Sequence, residues 1–278
     1  MDVTGIRTTT AGMQRLLLVA AGLVSMAGLT LFLRSEDTHR YFAWRIASPL
    51  TASSLGAAYW AALFLEILCA REKVWARARI ATAGVLVFTA LTLVATLIHI
   101  DRFQFDSPEL PAQVAAWAWL AIYIFVPLVM VGLLVVQFRQ PGTDPMRELP
   151  VPSVGLMVLA TWAGVFLCLG TVLFVAPSQA HRLWAWPLTP LTSRAVGAWL
   201  VGIGVGSVHA MWERDLIRLR PGLLAIFVLG VLEFVALARY GDEVDWASAA
   251  AWLYVAALGS FIAASLYGLL KIARQPDA

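Results

Sequence analysis

Residues 114–136 read VAAWAWLAIYIFVPLVMVGLLVV, an unbroken apolar run with no charged side chain. A helix crossing a membrane needs roughly 17–25 mostly apolar residues, because the bilayer core offers no water to satisfy its backbone polar groups. A long helix in a soluble domain keeps a polar face. This stretch has none, so its expected solvent is lipid. Pro127 lies inside it and is expected to kink the span.

Seven more stretches read the same way: 16–33, 52–70, 80–100, 154–176, 195–211, 222–238 and 247–270. Pro111, Pro141, Pro150, Pro152, Pro177, Pro187, Pro190 and Pro221 are expected between spans, where a missing N–H costs least. Composition agrees. The 278 residues are 60% hydrophobic and 13% charged, against about 45–50% and about 25% in soluble domains. Water-soluble enzymes, DNA-binding domains, disordered tails and coiled coils are disfavoured. An all-α, polytopic integral membrane protein is expected.

The net charge of +3 is modest and the basic residues fall in short loops, so no nucleic-acid partner is expected. Membrane lipids are. Cys69 and Cys168 lie in apolar stretches without a CxxC pair, which points to neither a disulfide framework nor a metal site. Arg outnumbers Lys eighteen to two in a chain rich in Ala, Leu and Val. That bias suits a GC-rich bacterial genome, and the bacterial cytoplasmic membrane is the expected location.

Basic residues also orient the chain. With the N-terminus inside, the inner segments hold thirteen Lys and Arg and the outer loops seven. Both termini are therefore expected in the cytoplasm. The first apolar run is longer than a signal peptide's, and Arg34 closes it without a small-residue cleavage site.

The two halves of the chain match. At a shift of 142, Gly22 meets Gly164, Gly28 meets Gly170, His39-Arg40 meets His181-Arg182, and Ala43-Trp44 meets Ala185-Trp186. At a shift of 141, Pro49-Leu50-Thr51 meets Pro190-Leu191-Thr192, Glu72-Lys73 meets Glu213-Arg214, and Arg77 and Arg79 meet Arg218 and Arg220. Each half, 1–141 and 142–278, carries four spans. An even number sends both halves into the membrane in the same sense. Two parallel four-helix repeats about an axis along the bilayer normal are expected.

The duplicated inner motif, Glu-Lys/Arg-x-x-x-Arg-x-Arg, reads as charge that holds a loop in the cytoplasm. The duplicated outer loops interleave Arg with aromatics, as an interfacial segment does, and Thr51 or Ser53 and Thr192 or Ser193 are expected to cap the helices that follow. The other outer loops are acidic, so exposed ion pairs between loops are expected. Gly202-x-x-x-Gly206 reads as a close-packing face, with Ser54, Gly56, Ala57 and Ala58 of the second span near it.

Ionisable groups within spans are costly and mark functional candidates. Glu66, His99, His209 and Glu233 are such groups, and none is duplicated: they match Ser207, Tyr240, Leu68 and Thr92. Glu66 and His209 lie near the inner ends of their spans, His99 lies at an outer end, and Glu233 is the deepest. The expected ligand site is an outward-facing pocket lined by Glu233, His99, Arg194, His39, Arg40, His181 and Arg182, under an aromatic rim of Trp44, Trp184 and Trp186. A b-type haem usually needs two axial ligands facing each other at one depth, and these histidines do not offer them. No cofactor is identified.

Three functions follow from these residues. The first is binding or transport of a small lipophilic or anionic ligand. The second is a membrane-embedded enzyme acting on lipid or isoprenoid, with Glu233 or His99 as base. The third is a structural subunit that packs against partner helices.

Overall fold

The computed structural model describes residues 5–179 and 183–275. Its long helices are α1 (Ala11–Leu33), α2 (Pro49–Arg71), α3 (Thr82–Ile98), α4 (Leu110–Phe138), α5 (Ser153–Val175), α6 (Pro190–Glu213), α7 (Leu216–Tyr240) and α8 (Ala249–Ala273). All eight spans are long and apolar enough to cross a membrane, α3 being extended by its preceding turns Trp75–Ala78 and Arg79–Ala81. The protein is all-α and multi-pass.

Helix starts follow local chemistry. Ser48 caps α2 by accepting the Thr51 N–H, and Thr189 caps α6 in a reciprocal box with Thr192. Both helices thus begin a turn earlier than expected, at Pro49 and Pro190. Proline suits the first helical position because its missing N–H would have had no partner there. Thr51 and Thr192 sit inside the first turn and are not the capping residues. Pro221 is another correction: it lies inside α7, in the second turn, and is buried. One ladder bond is lost there, and packing accommodates it. Pro111 likewise belongs to the first turn of α4, and Pro127 lies within that same continuous helix.

Four helices form the interior. Of α2's apolar window 67% is buried, against 17% for α4. The main pairings are α1 with α2, α5 with α6, α2 with α7, α3 with α6, α7 with α8, and α3 with α4. So α2, α3, α6 and α7 stand inside, while α1, α4, α5 and α8 offer exposed faces such as Leu18, Met26, Phe125, Leu128, Met157 and Leu253 to lipid.

Lipid is as apolar as leucine, so close packing rather than water exclusion holds such helices together. Glycines set the approach. A Cβ on Gly56 would lie 2.5 Å from the Phe32 backbone nitrogen of α1. A Cβ on Gly84 would lie 2.6 Å from the Gly202 carbonyl, so α3 and α6 touch backbone to backbone. Gly202 therefore packs on α3 rather than on α2, while a Cβ on Gly206 would point into open space, with no atom within 4 Å.

One end of the bundle gathers the start of α1 and the end of α8, with Met13, Leu17, Trp75, Val151, Leu216 and Ile272 in one cluster. There the Thr9 N–H donates to Lys73 and the Trp75 N–H to Arg7, while the Val151 N–H donates to Arg214 and the Leu216 N–H to Leu149. At the far end, the Gln104 N–H donates to Ala43 and the Asp245 N–H to Ala185.

Candidate functional site

The far end carries the residues singled out from sequence, and it holds them in separate groups. Glu233 is 6% exposed on α7 and faces the bundle. The Tyr254 hydroxyl of α8 donates to its Oε2 at 2.8 Å. The Tyr254 ring packs edge-on against Trp184 and Trp186, with centroids 5.6 and 5.1 Å away. Trp186 in turn donates its indole N–H to Thr51 Oγ1 at 2.9 Å. Trp44 is also buried, in contact with Phe42, Phe103 and Trp119. Both tryptophans thus belong to the core and form no open rim.

His99 and Arg194 do meet, with Nη1 and the ring Nε2 2.8 Å apart. Burial, and then the neighbouring Arg194 charge, holds the His99 imidazole below its ordinary range. The imidazole is then neutral at pH 7, and its Nε2 accepts from the guanidinium. At the matching position of the other half, Tyr240 hydrogen-bonds Ser35 at 2.7 Å instead. His39 and Arg40 are exposed, and Arg40 lies 3.7 Å from Glu109 across the loops. His181 and Arg182 lie outside the described residues.

A cleft of about 380 Å³, open to the centres of water-sized spheres, separates the first turns of α2 and α6 at this end. Glu243 lines it, accepting from Ser48 Oγ at 2.5 Å and from the Leu50 N–H at 2.9 Å. A carboxylate at a helix N-terminus meets the unpaired N–H groups and the positive end of the helix dipole. Neither this cleft nor the central cavity described below is lined by Glu233, His99 or Arg194.

The end where α1 starts and α8 finishes holds an ion cluster that the duplicated motif did not announce. Glu213, fully buried at the end of α6, accepts from Arg79 and from Arg218 (2.9 Å), with His209 Nε2 at 3.3 Å. Asp144 grips the other side of Arg79 at 2.7 Å, and Asp215 lies 3.6 Å from Arg218. The sequence assigns this charge to a solvated loop. The fold instead draws Arg79 inward while its counterpart Arg220 stays exposed.

Above this cluster, between the α2–α7 and α3–α6 pairs, lies a cavity with about 200 Å³ of room for the centres of water-sized spheres. α2 contributes Ala58, Ala62 and Glu66, and α6 contributes Trp199 and Gly206. The Glu66 side chain is buried at 2% exposure, and its Oε2 has no hydrogen-bond partner among the described residues. A sequence signal for this face existed. Ala58, Ala62 and Glu66 are spaced by four, which stacks two small residues and one acid on a single helix face.

Comparison with protein-family models, characterised proteins and solved structures found no match. What the fold defines is a multi-pass integral membrane protein whose eight apolar helices surround a central hollow.

Proposed function

We propose that this protein binds a small lipophilic ligand in its central cavity and moves it within or across the bilayer. The cavity carries this reading. Interiors are packed nearly as densely as organic crystals, so a hollow of this size between core helices stands out as room for a small ligand. Its lining is apolar apart from Glu66 and a few hydroxyls and, among the described residues, includes no Lys, Arg or His. That composition favours a lipophile over an anion. Glu233, His99, Arg194, Trp44 and Trp186 then close the far end above the ligand rather than touching it.

The same reading takes the bundle as two parallel repeats and both termini as cytoplasmic. Support for the repeats is the recurrence, at the shifts of 142 and 141, of the hydrogen bonds joining 9 to 73, 7 to 75 and 43 to 104. The helix pairs recur as well: α1–α2 as α5–α6, α3–α4 as α7–α8, and α2–α7 as α6–α3. The last pair crosses between halves, so the cavity lies on the boundary of the two units, a common place for a transport site.

Native mass spectrometry of the gently purified protein is the test. The wild type should retain a bound lipophile, and Gly206→Leu, whose side chain enters the cavity, should release it while staying folded. Retention of the same molecule by the folded variant, or no uptake of any added lipophile by the wild type, would overturn the proposal. Orientation is tested by impermeant thiol labelling of cysteines placed at 106 and 243. Labelling from the cytoplasmic side alone would reverse it.

A further inference from the structure

We infer that the central cavity selects an organic cation: an apolar molecule carrying one ammonium group, seated between Glu66 and an aromatic wall. This deepens the reading of the cavity as a lipophile site and rests on it.

The first observation is the solitary carboxyl. An acid inside a bilayer protein is expected to be paired or to mark a functional path. Glu66 has no ion-pair partner among the described residues, and its Oε2 is buried without a hydrogen bond. The contrast within the same molecule is plain. Glu233 has Tyr254, and Glu213 has two arginines. Only Glu66 of these buried acids lines a hollow. Among the described residues no basic side chain lines that hollow with it.

The second observation is independent of the first. Phe88, Tyr123, Trp162 and Trp199 line the same cavity from four different helices. Phe88 and Trp199 stand with centroids 4.0 Å apart, and Phe88 and Tyr123 with centroids 6.1 Å apart. Tyr123 spends its hydroxyl on Tyr59, 2.6 Å away, so what it offers a ligand is its ring. Aromatic faces carry the negative part of the ring quadrupole and attract ammonium groups, most strongly where water is excluded. Ser265 adds a third feature: its Oγ is buried in the lining without a partner and is available as an acceptor.

Together these groups supply one carboxyl, several aromatic rings and a hydroxyl, and among the described residues no basic side chain. An anion would find no basic side chain among the described lining residues to balance its charge. A neutral lipophile would fill the space and leave Glu66 unmatched. A cation satisfies the carboxyl and the rings at once, and its hydrocarbon part fills the alanine and glycine faces.

The test uses two probes of equal shape, benzyltrimethylammonium and neopentylbenzene, which differ in having nitrogen or carbon at one centre. Binding to the purified full chain is measured by equilibrium dialysis. The cation should bind about tenfold or more tightly than the neutral probe. Glu66→Gln should bring the two affinities together, with circular dichroism reporting that the variant is folded. Trp199→Leu should weaken the cation more than the neutral probe. Equal affinity of the wild type for the two probes, or an unchanged preference in folded Glu66→Gln, overturns the inference and leaves the lipophile reading standing. Binding of neither probe overturns both. Should Glu66→Gln fail to fold, the wild-type ratio of the two affinities still decides.

Discussion

Glu213→Gln is the substitution that most directly tests how the duplicated charge motif is used. The carboxylate accepts two hydrogen bonds from Arg79 and one from Arg218, and its side chain is fully buried. Glutamine keeps the shape, withdraws the charge and turns one acceptor into a donor facing a guanidinium. Charge-assisted hydrogen bonds contribute about 1.5–3 kcal/mol each. Removing one partner of a buried ion pair costs about 3–5 kcal/mol. Asp144 and Asp215 remain to hold the two guanidiniums. The loss therefore belongs at the lower end, about 3 kcal/mol. At about 2–4 °C per kcal/mol, the unfolding midpoint should fall by about 6–12 °C. The control is Glu72→Gln, the same substitution in the other copy of the motif. Glu72 is half-buried with no ion pair among the described residues, and surface changes of this kind stay within about 0.5 kcal/mol. Tryptophan fluorescence during heating in a mild detergent measures both. Equal shifts in the two variants, or no shift in Glu213→Gln, would show that the buried cluster does not hold α3, α6 and α7 together.

Two further outcomes are expected. Gly56→Ala should cost about 1–3 kcal/mol, because its new methyl meets the α1 backbone, which cannot rotate away as a side chain can; Gly206→Ala, entering open space, should leave the same melting curve unchanged. His99 should make stability pH-dependent. Its folded value is held below the ordinary one, so the unfolded chain takes up the proton first, and stability falls as pH drops below about 6.5. His99→Gln should flatten that part of the profile relative to wild type, and an identical slope in both would sink the assignment.

Much of this molecule was legible without coordinates. Each span is a local property: a run of apolar residues long enough to cross lipid is helical because no other single segment satisfies its own backbone there. The loop matches between halves, such as Pro49-Leu50-Thr51 with Pro190-Leu191-Thr192, are equally local. Glu233 facing inward follows from the cost of an acid in lipid. Helix starts were displaced by a turn because capping by Ser48 and Thr189 outweighs hydropathy at a span's edge.

Tertiary structure alone decided which copy of a repeated motif is buried. Glu72 and Glu213 hold matching positions in the repeated motif, but only Glu213 lies where residues from α3 and the α4–α5 connection converge, so Arg79 and Asp144 reach it and its cluster. Tryptophans readable as an interfacial rim, Trp44 and Trp186, became core because aromatics from other segments stack on them. The cavity was the least legible feature. Helices in lipid settle by shape, and Gly84 against Gly202 sets how near α3 and α6 come. Whether Gly206, four residues further on, touches a neighbour or faces an empty space depends on that crossing, a relation between chain segments more than a hundred residues apart that no local pattern encodes.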